Sequence, residues 1–233
     1  MGRVDAVVFD CDGVLTDNGS SWQNIHSKFG TDTADDDSHK KTLEKFLDGR
    51  ITEEEFVEHD IRLWKSVKPE IHKEDIIKCY SGIGLIDGAR DVVEELKNRG
   101  VYVAIVSSGV DLFVGAIANM LKVDDWAANG FEWNEDGYLV KGLPTRVYSH
   151  DKGIMVEKLA RINGFDPEKI ISVGDSSTDL SMRIEASSFI GFNPSRARAL
   201  DSFKSAGVPV VEGKDLRKIW PYIFDGEQFP DSS

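Results

Sequence analysis

Apolar and polar positions follow two different rhythms along this chain. After residue 84, short apolar runs of the kind buried strands need alternate with stretches whose apolar residues recur at helical spacing. Residues 89–97 place Ala89, Val92, Val93 and Leu96 on one helical face, and Gly100 stops the helix. Residues 101–106 then read as a buried strand ending at Ser107-Ser108-Gly109. Residues 112–121 and 153–162 predict further helices, and Asp166-Pro167 marks the start of a short helical turn. Residues 4–9, 170–174, 189–192 and 208–211 supply the other strands. Strands alternating with helices predict an α/β fold built on a doubly wound parallel sheet.

Residues 16–80 break that rhythm, because no strand-like run occurs there. Thr52 and Glu55 form a capping box and Ile51 with Phe56 a hydrophobic staple, which together predict a helix start. Ile61, Leu63 and Trp64 continue its apolar side, and Leu43, Phe46 and Leu47 predict a partner helix. The region therefore reads as a small helical module inserted into a core made of residues 1–15 and 81–233. Residues 131–140 predict a hairpin turning at Asp136-Gly137. The runs Asp35-Asp36-Asp37 and Glu53-Glu54-Glu55 read as solvated charge, and the tail from Asp225 onward as frayed.

Composition narrows the function. No apolar run approaches the roughly 20 residues that span a bilayer, so no membrane role is expected. A net charge of −13 and an isoelectric point near 4.8 argue against nucleic acid as a partner. Two cysteines form no disulfide framework and the first residues lack a signal-peptide pattern, so a cytoplasmic setting is expected. Cys11 reads as a small buried spacer and Cys79 as a residue at a helix end.

Candidate chemistry gathers at the strand ends. Asp10 and Asp12, spaced i, i+2 after the first strand, point the same way on the pleat, and Gly13 lets the chain turn. Ser107 offers a hydroxyl, and Ser108 and Gly109 offer backbone N–H groups entering a helix, which suits phosphate. Lys152 supplies a positive charge at the start of another helix, and Asp175 and Asp179 follow the strand over residues 170–174. Each signal alone has an ordinary reading as a turn, a surface charge or a helix cap. In a parallel sheet, however, ligands bind at the carboxyl edge, and all four signals occur there or just before a helix. The five histidines show no ligand spacing and receive no catalytic role; His150, near Lys152, is the one to watch.

This ordered set resembles the haloacid dehalogenase-like (HAD) hydrolase superfamily, in its phosphoserine phosphatase-like branch. Asp10 to Thr16 matches the first motif, Ser107 the second, Lys152 the third, and Gly174 to Asp179 the fourth; the helical insertion matches the family's cap. The resemblance implies an α/β Rossmannoid core and a Mg2+-dependent phosphatase of a small phosphorylated metabolite. Asp10 would attack phosphorus to form an aspartyl-phosphate, and Asp12 would protonate the leaving oxygen and then activate water. Mg2+ would be held by Asp10, the Asp12 backbone carbonyl and Asp175. Ser107, Ser108, Gly109 and Lys152 would hold the phosphoryl group, with Asp179 orienting a metal-bound water or Lys152. The branch's cap glutamate is replaced by Asn18-Gly19-Ser20, and Arg62 stands about one turn from where its cap arginine is expected. Ser20, Trp22, Arg62 and Trp64 are then the candidates for substrate choice, with both tryptophans also readable as core. A phosphomutase on the same core and a phosphorylatable regulatory module are the alternatives.

Overall fold

The computed structural model describes residues 4–31, 38–194 and 196–230. Asp35-Asp36-Asp37 lies outside the described residues. The first strand, β1 (Ala6–Phe9), leads through a loop to α1 (Ser21–Phe29), α2 (Ser38–Leu47), α3 (Glu53–Val67) and α4 (Lys73–Lys78). α5 (Ala89–Asn98), β2 (Tyr102–Val110), α6 (Asp111–Leu121) and β3 (Asp125–Asn129) come next, then a hairpin of β4 (Phe131–Trp133) and β5 (Leu139–Gly142). The chain closes with α7 (Gly153–Asn163), β6 (Ile170–Gly174), β7 (Ser188–Phe192), α8 (Ala197–Ser205), β8 (Val210–Val211) and α9 (Trp220–Ile223).

Six strands form one parallel sheet in the order β3-β2-β1-β6-β7-β8. Connections leave β1 in one direction toward β3 and return from β6 toward β8, so the strand order reverses between β1 and β6. That reversal opens a crevice at the carboxyl edge, where loops on either side splay apart. Alternation along β1 fixes the two layers. Val7 and Phe9 face a cluster with Val92, Leu96, Val114 and Ile117 of α5 and α6, whereas Ala6 and Val8 face Val156 and Ala160 of α7 and Phe203 of α8.

The insertion between β1 and α5 has an apolar cluster of its own. Ile25, Ile61, Trp64, Ile71 and Ile76 pack together and against Val110, Phe131 and Leu139, so β2's end and the hairpin share it. α3 begins with the expected capping box, Thr52 Oγ1 accepting from Glu55 N while Glu55 Oε2 accepts from Thr52 N.

Four features differ from the sequence reading. β2 runs on through Ser107, Ser108 and Gly109 to Val110, its pairing with β3 shifting register between Val106 and Val110. β3 itself was not expected. The hairpin's second strand is offset, Leu139–Gly142, with Asn134 Oδ1 accepting from Asp136 N and Tyr138 N across the turn. The tail is packed where described: Phe229 meets Trp220 edge-on, Arg99 lies over Trp220, and Arg99 Nη1 donates to Glu227 Oε2 at 2.9 Å. An aromatic group and an ion pair hold the tail to α5 and α9. Among the described residues, no helix is long and apolar enough to cross a membrane.

Candidate active site

Three adjacent strands deliver the first groups. Phe9 pairs with Ile105 on one side and Val173 on the other, and Asp10 N donates to Val173 O at 2.9 Å. Asp10 therefore leaves β1 level with Val106 of β2 and with Gly174, where β6 ends. The α7 start brings in Lys152, buried, whose Nζ donates to Asp10 Oδ1 at 2.9 Å and to Asp179 Oδ1 at 2.6 Å. Asp179 is held in turn, its Oδ2 accepting from the amides of Asp175 and Ser176 and from Ser176 Oγ. Lys152 N donates to Ser181 Oγ, which donates to Thr178 O, fastening the α7 start to the loop after β6.

Asp12 faces the insertion. Its Oδ1 accepts from Asn18 Nδ2 at 2.7 Å; its Oδ2 accepts from Ser21 N at 3.0 Å and Ser21 Oγ at 2.8 Å. Ser21 Oγ also accepts from Val110 N at 3.0 Å, so one buried hydroxyl ties Asp12 to β2's end. Gly109 fills the remaining space. A Cβ there would stand 2.6 Å from Ser21 Oγ and 3.0 Å from Asp12 Oδ2, and only glycine fits. Gly109 N donates to Ser107 Oγ at 3.1 Å. Gly13, at φ +80°, takes the turn expected of it, and a Cβ there would stand 2.6 Å from Asp175 Oδ2.

Sequence reasoning missed Ser21 and Asn18. The available signal was Ser20-Ser21 directly before a helix, since Ser20 is the N-cap of α1 and Ser21 its first residue.

The electrostatics are strained by like charge. Burial raises the Asp10 pKa to about 7 even though Lys152 opposes it, and Asp179 and Asp12 add repulsion. Burial likewise raises Asp175, to about 8, with the negative charges of Asp179 and Asp10 reinforcing it. Asp12 is raised by burial and eased back by the hydrogen bonds from Ser21 and Asn18. Burial opposes the charge on Lys152, but Asp10 and Asp179 outweigh it and raise its pKa. One lysine thus faces carboxylate oxygens of Asp10, Asp175 and Asp179 that lie within 4.8 Å of one another. A buried all-oxygen donor set with surplus negative charge fits a hard divalent cation.

A protein-family profile described as haloacid dehalogenase-like hydrolase matches residues 4–187. Phosphoserine phosphatase of Methanocaldococcus jannaschii is 30% identical over 218 residues, covering 93% of this chain and 96% of that protein. A solved substrate-bound phosphoserine phosphatase complex superposes with a TM-score of 0.74 at 26% identity, covering 96% of this chain and all of the other. A phospho-aspartyl intermediate analogue of phosphoserine phosphatase gives 0.72 at 29% identity, covering 95% and 99% of the two chains. This chain belongs to the haloacid dehalogenase-like hydrolase family.

As a HAD hydrolase it is a phosphomonoester phosphatase working through an aspartyl-phosphate. The residues singled out for substrate choice have distinct fates in this HAD chain. Ser20 caps α1 through Gln23 N. Trp22 stacks on Trp64 at 5.9 Å, meets Phe131 edge-on, and donates Nε1–H to Ser108 O at 3.0 Å. Both tryptophans pack in the insertion's apolar cluster, and Arg62 is exposed. His150 is exposed, its ring against Phe46 of α2, next to Ser149, whose N and Oγ both donate to Glu53. Cys11 is buried in the apolar cluster under α5 and α6, and Cys79 closes α4.

Proposed function

We propose that this chain is a Mg2+-dependent phosphatase of a small phosphomonoester in which Asp10 is the nucleophile and Asp12 the proton carrier. The observation that carries this reading is the separate anchoring of the two carboxylates: Asp10 on Lys152, Asp12 on Ser21 and Asn18. In the first half-reaction an Asp10 oxygen attacks phosphorus, the bond to the leaving oxygen breaks, and Asp12 donates its proton to that oxygen. In the second, Asp12 takes a proton from water as the water attacks the aspartyl-phosphate, releasing inorganic phosphate and restoring Asp10. Raised Asp12 basicity suits both steps, since its proton must be kept until the leaving oxygen needs it. Ser107 and the amides of Ser108 and Gly109 would bind phosphoryl oxygens, one of them taking the Gly109 N–H that Ser107 Oγ now accepts. Asp179 holds Lys152 in place. Mg2+, held by Asp10, Asp175 and the Asp12 backbone carbonyl, would neutralise charge on the phosphoryl oxygens.

The residues 16–80 serve in this reading as a cap that selects the substrate. Asn18, at the position of the branch's cap glutamate, is turned inward to Asp12 and Asn24. The substrate is accordingly a small phosphorylated metabolite whose polar end need not match that of phosphoserine. Asp10→Asn should reduce hydrolysis of an aryl phosphate to background while circular dichroism stays unchanged; full retained activity sinks the mechanism. A screen of phosphorylated metabolites with Mg2+, phosphoserine included, names the substrate. Stoichiometric inorganic phosphate separates hydrolase from mutase, and a phosphoenzyme persisting for minutes would mark a regulatory module instead.

A further inference from the structure

In the proposed phosphatase the amides of Ser108 and Gly109 bind phosphoryl oxygens, and the second of them is aimed from the far side of its peptide group. Pairing between β2 and β3 advances four residues on β2, from Val106 to Val110, but only two on β3, from Ala127 to Asn129. Ser107, Ser108 and Gly109 therefore leave the regular ladder, and the Ser108 carbonyl takes two side-chain donors. Trp22 Nε1–H reaches it from the insertion at 3.0 Å, and Asn129 Nδ2 from the end of β3 at 3.3 Å. The Ser108–Gly109 peptide is trans, so its N–H points opposite to that carbonyl. It points at Ser107 Oγ, 3.1 Å away.

Those two donors decide the orientation of a peptide that could otherwise turn. A peptide group followed by glycine rotates at low cost, since no Cβ bars either sign of φ at Gly109. A half-turn would present the carbonyl oxygen, rather than the N–H, to an incoming phosphate. Both donors are themselves held. Asn129 is buried, and besides its bond to Ser108 O its Nδ2 donates to Val147 O at 2.8 Å. Its Oδ1 accepts from Arg146 N at 3.0 Å and Val147 N at 2.9 Å, so the whole amide is engaged. Trp22 is fixed by rings, stacked on Trp64 at 5.9 Å and edge-on to Phe131 at 5.5 Å. Trp64 is fully buried and donates Nε1–H to His26 Nδ1 at 3.2 Å, which stops the stack from sliding.

We propose that Trp22 is a positioning residue for phosphoryl transfer, a role that rests on the phosphatase reading above. Its indole N–H holds the Ser108–Gly109 peptide with the Gly109 N–H turned to the phosphoryl group. This bond also makes the insertion and the phosphate site cooperative. A phosphoryl oxygen drawing on Gly109 N–H polarises the peptide and makes Ser108 O a better acceptor, so the indole bond tightens when the site is filled. By reciprocity, the docked indole strengthens phosphate binding by the same factor.

Trp22→Phe keeps a ring against Trp64 and Phe131 and removes the donor. In the Mg2+-loaded full-length protein, inhibition of aryl phosphate hydrolysis by orthovanadate and by inorganic phosphate should weaken by about 10-fold, the contribution of one hydrogen bond, and kcat/KM should fall alongside. Mg2+ affinity, read from Tm against Mg2+ concentration without phosphate, should stay within about twofold, because Trp22 acts on the peptide and not on Asp10 or Asp175. In the parent, the indole Nε1–H resonance missing from the Trp22→Phe spectrum should move downfield when vanadate is added. Should Trp22→Phe fold poorly, 3-benzothienylalanine in place of Trp22 carries the same comparison, since sulfur replaces N–H in an otherwise matching ring system. Unchanged vanadate and phosphate inhibition in a folded variant, or an indole signal indifferent to vanadate, would overturn the role of Trp22 and leave the phosphatase reading intact. A parent without Mg2+-dependent hydrolysis would sink that reading, and the role of Trp22 with it.

Discussion

At the scale of single residues, Ser21 is the most consequential group outside the four motifs. Its hydroxyl donates to Asp12 Oδ2 and accepts from Val110 N, so it fixes the carboxylate against the end of β2. Its hydrogen bonds also lower the Asp12 pKa against the rise caused by burial. Ser21→Ala removes one of them, so the Asp12 pKa should climb further and the alkaline limb of the kcat profile should move to higher pH. A hydrogen bond to a charged group contributes about 1.5–3 kcal/mol, so kcat should fall by about 10-fold or more with little change in KM. An unshifted pH profile would show that Ser21 is only packing. Gly109 makes a linked case. Gly109→Ala would push a methyl group against Ser21 Oγ, costing about 1–3 kcal/mol. Ser21→Ala vacates part of that space, so the double variant should melt above the sum of its single losses. Strict additivity of the three melting temperatures would contradict the packing seen here.

Elements carry a different share of the information. The Thr52–Glu55 box was legible because a cap is a local device, read off residues three apart. Thr52→Ala should destabilise the protein by about 1 kcal/mol, or about 2–4 °C in Tm, with kcat on a small aryl phosphate held within about twofold. A Tm that does not move would mean the α3 start is held by Glu53 on Ser149 instead. The strand ends were legible for a similar reason: β1 and β6 are apolar on both faces, so polar residues closing them stood out. β3 was hidden because it is an edge strand, and an edge strand needs no unbroken apolar run. It starts at exposed Asp125 and buries only Ala127, Ala128 and Asn129. The extension of β2 through Ser107-Ser108-Gly109 was hidden too, because its pairing depends on that unseen neighbour. The buried cluster of His26, His39 and Asp60 in the insertion could not be read at all, since its members come from α1, α2 and α3 and meet only through packing. Sequence displayed the proposed catalytic groups where they close β1 and β6, as Asp10 and Asp175 do, or open a helix, as Lys152 does. It displayed their supports poorly, because Ser21 and Asn18 are set by where the insertion folds back.

Over the whole molecule, the carboxylates at the sheet's edge set how stability depends on pH and on divalent ions. Asp10 and Asp175 have ordinary values near 3.8 and are raised to about 7 and about 8 in the folded chain. Between those limits the folded state keeps protons that the unfolded chain has already released. Unfolding then loses protons, and stability falls as pH rises through the window. A divalent cation binds the ionised form and opposes the trend, more strongly where more of that form is present. With EDTA, Tm should decline from about pH 5 to about pH 8; with saturating Mg2+ at matched ionic strength the decline should flatten, so the increment from the cation grows with pH. Matching the ionic strength matters because a chain of net charge −13 gains stability from any salt that screens its self-repulsion. Asp175→Asn removes one of the two raised carboxylates and weakens the cation's grip. It should make the EDTA-treated protein less sensitive to pH and shrink its response to Mg2+, even as activity is lost. An Asp175→Asn protein whose pH dependence and Mg2+ response both match those of the parent would place the cation, and the stored repulsion, somewhere other than the carboxyl edge of β1 and β6.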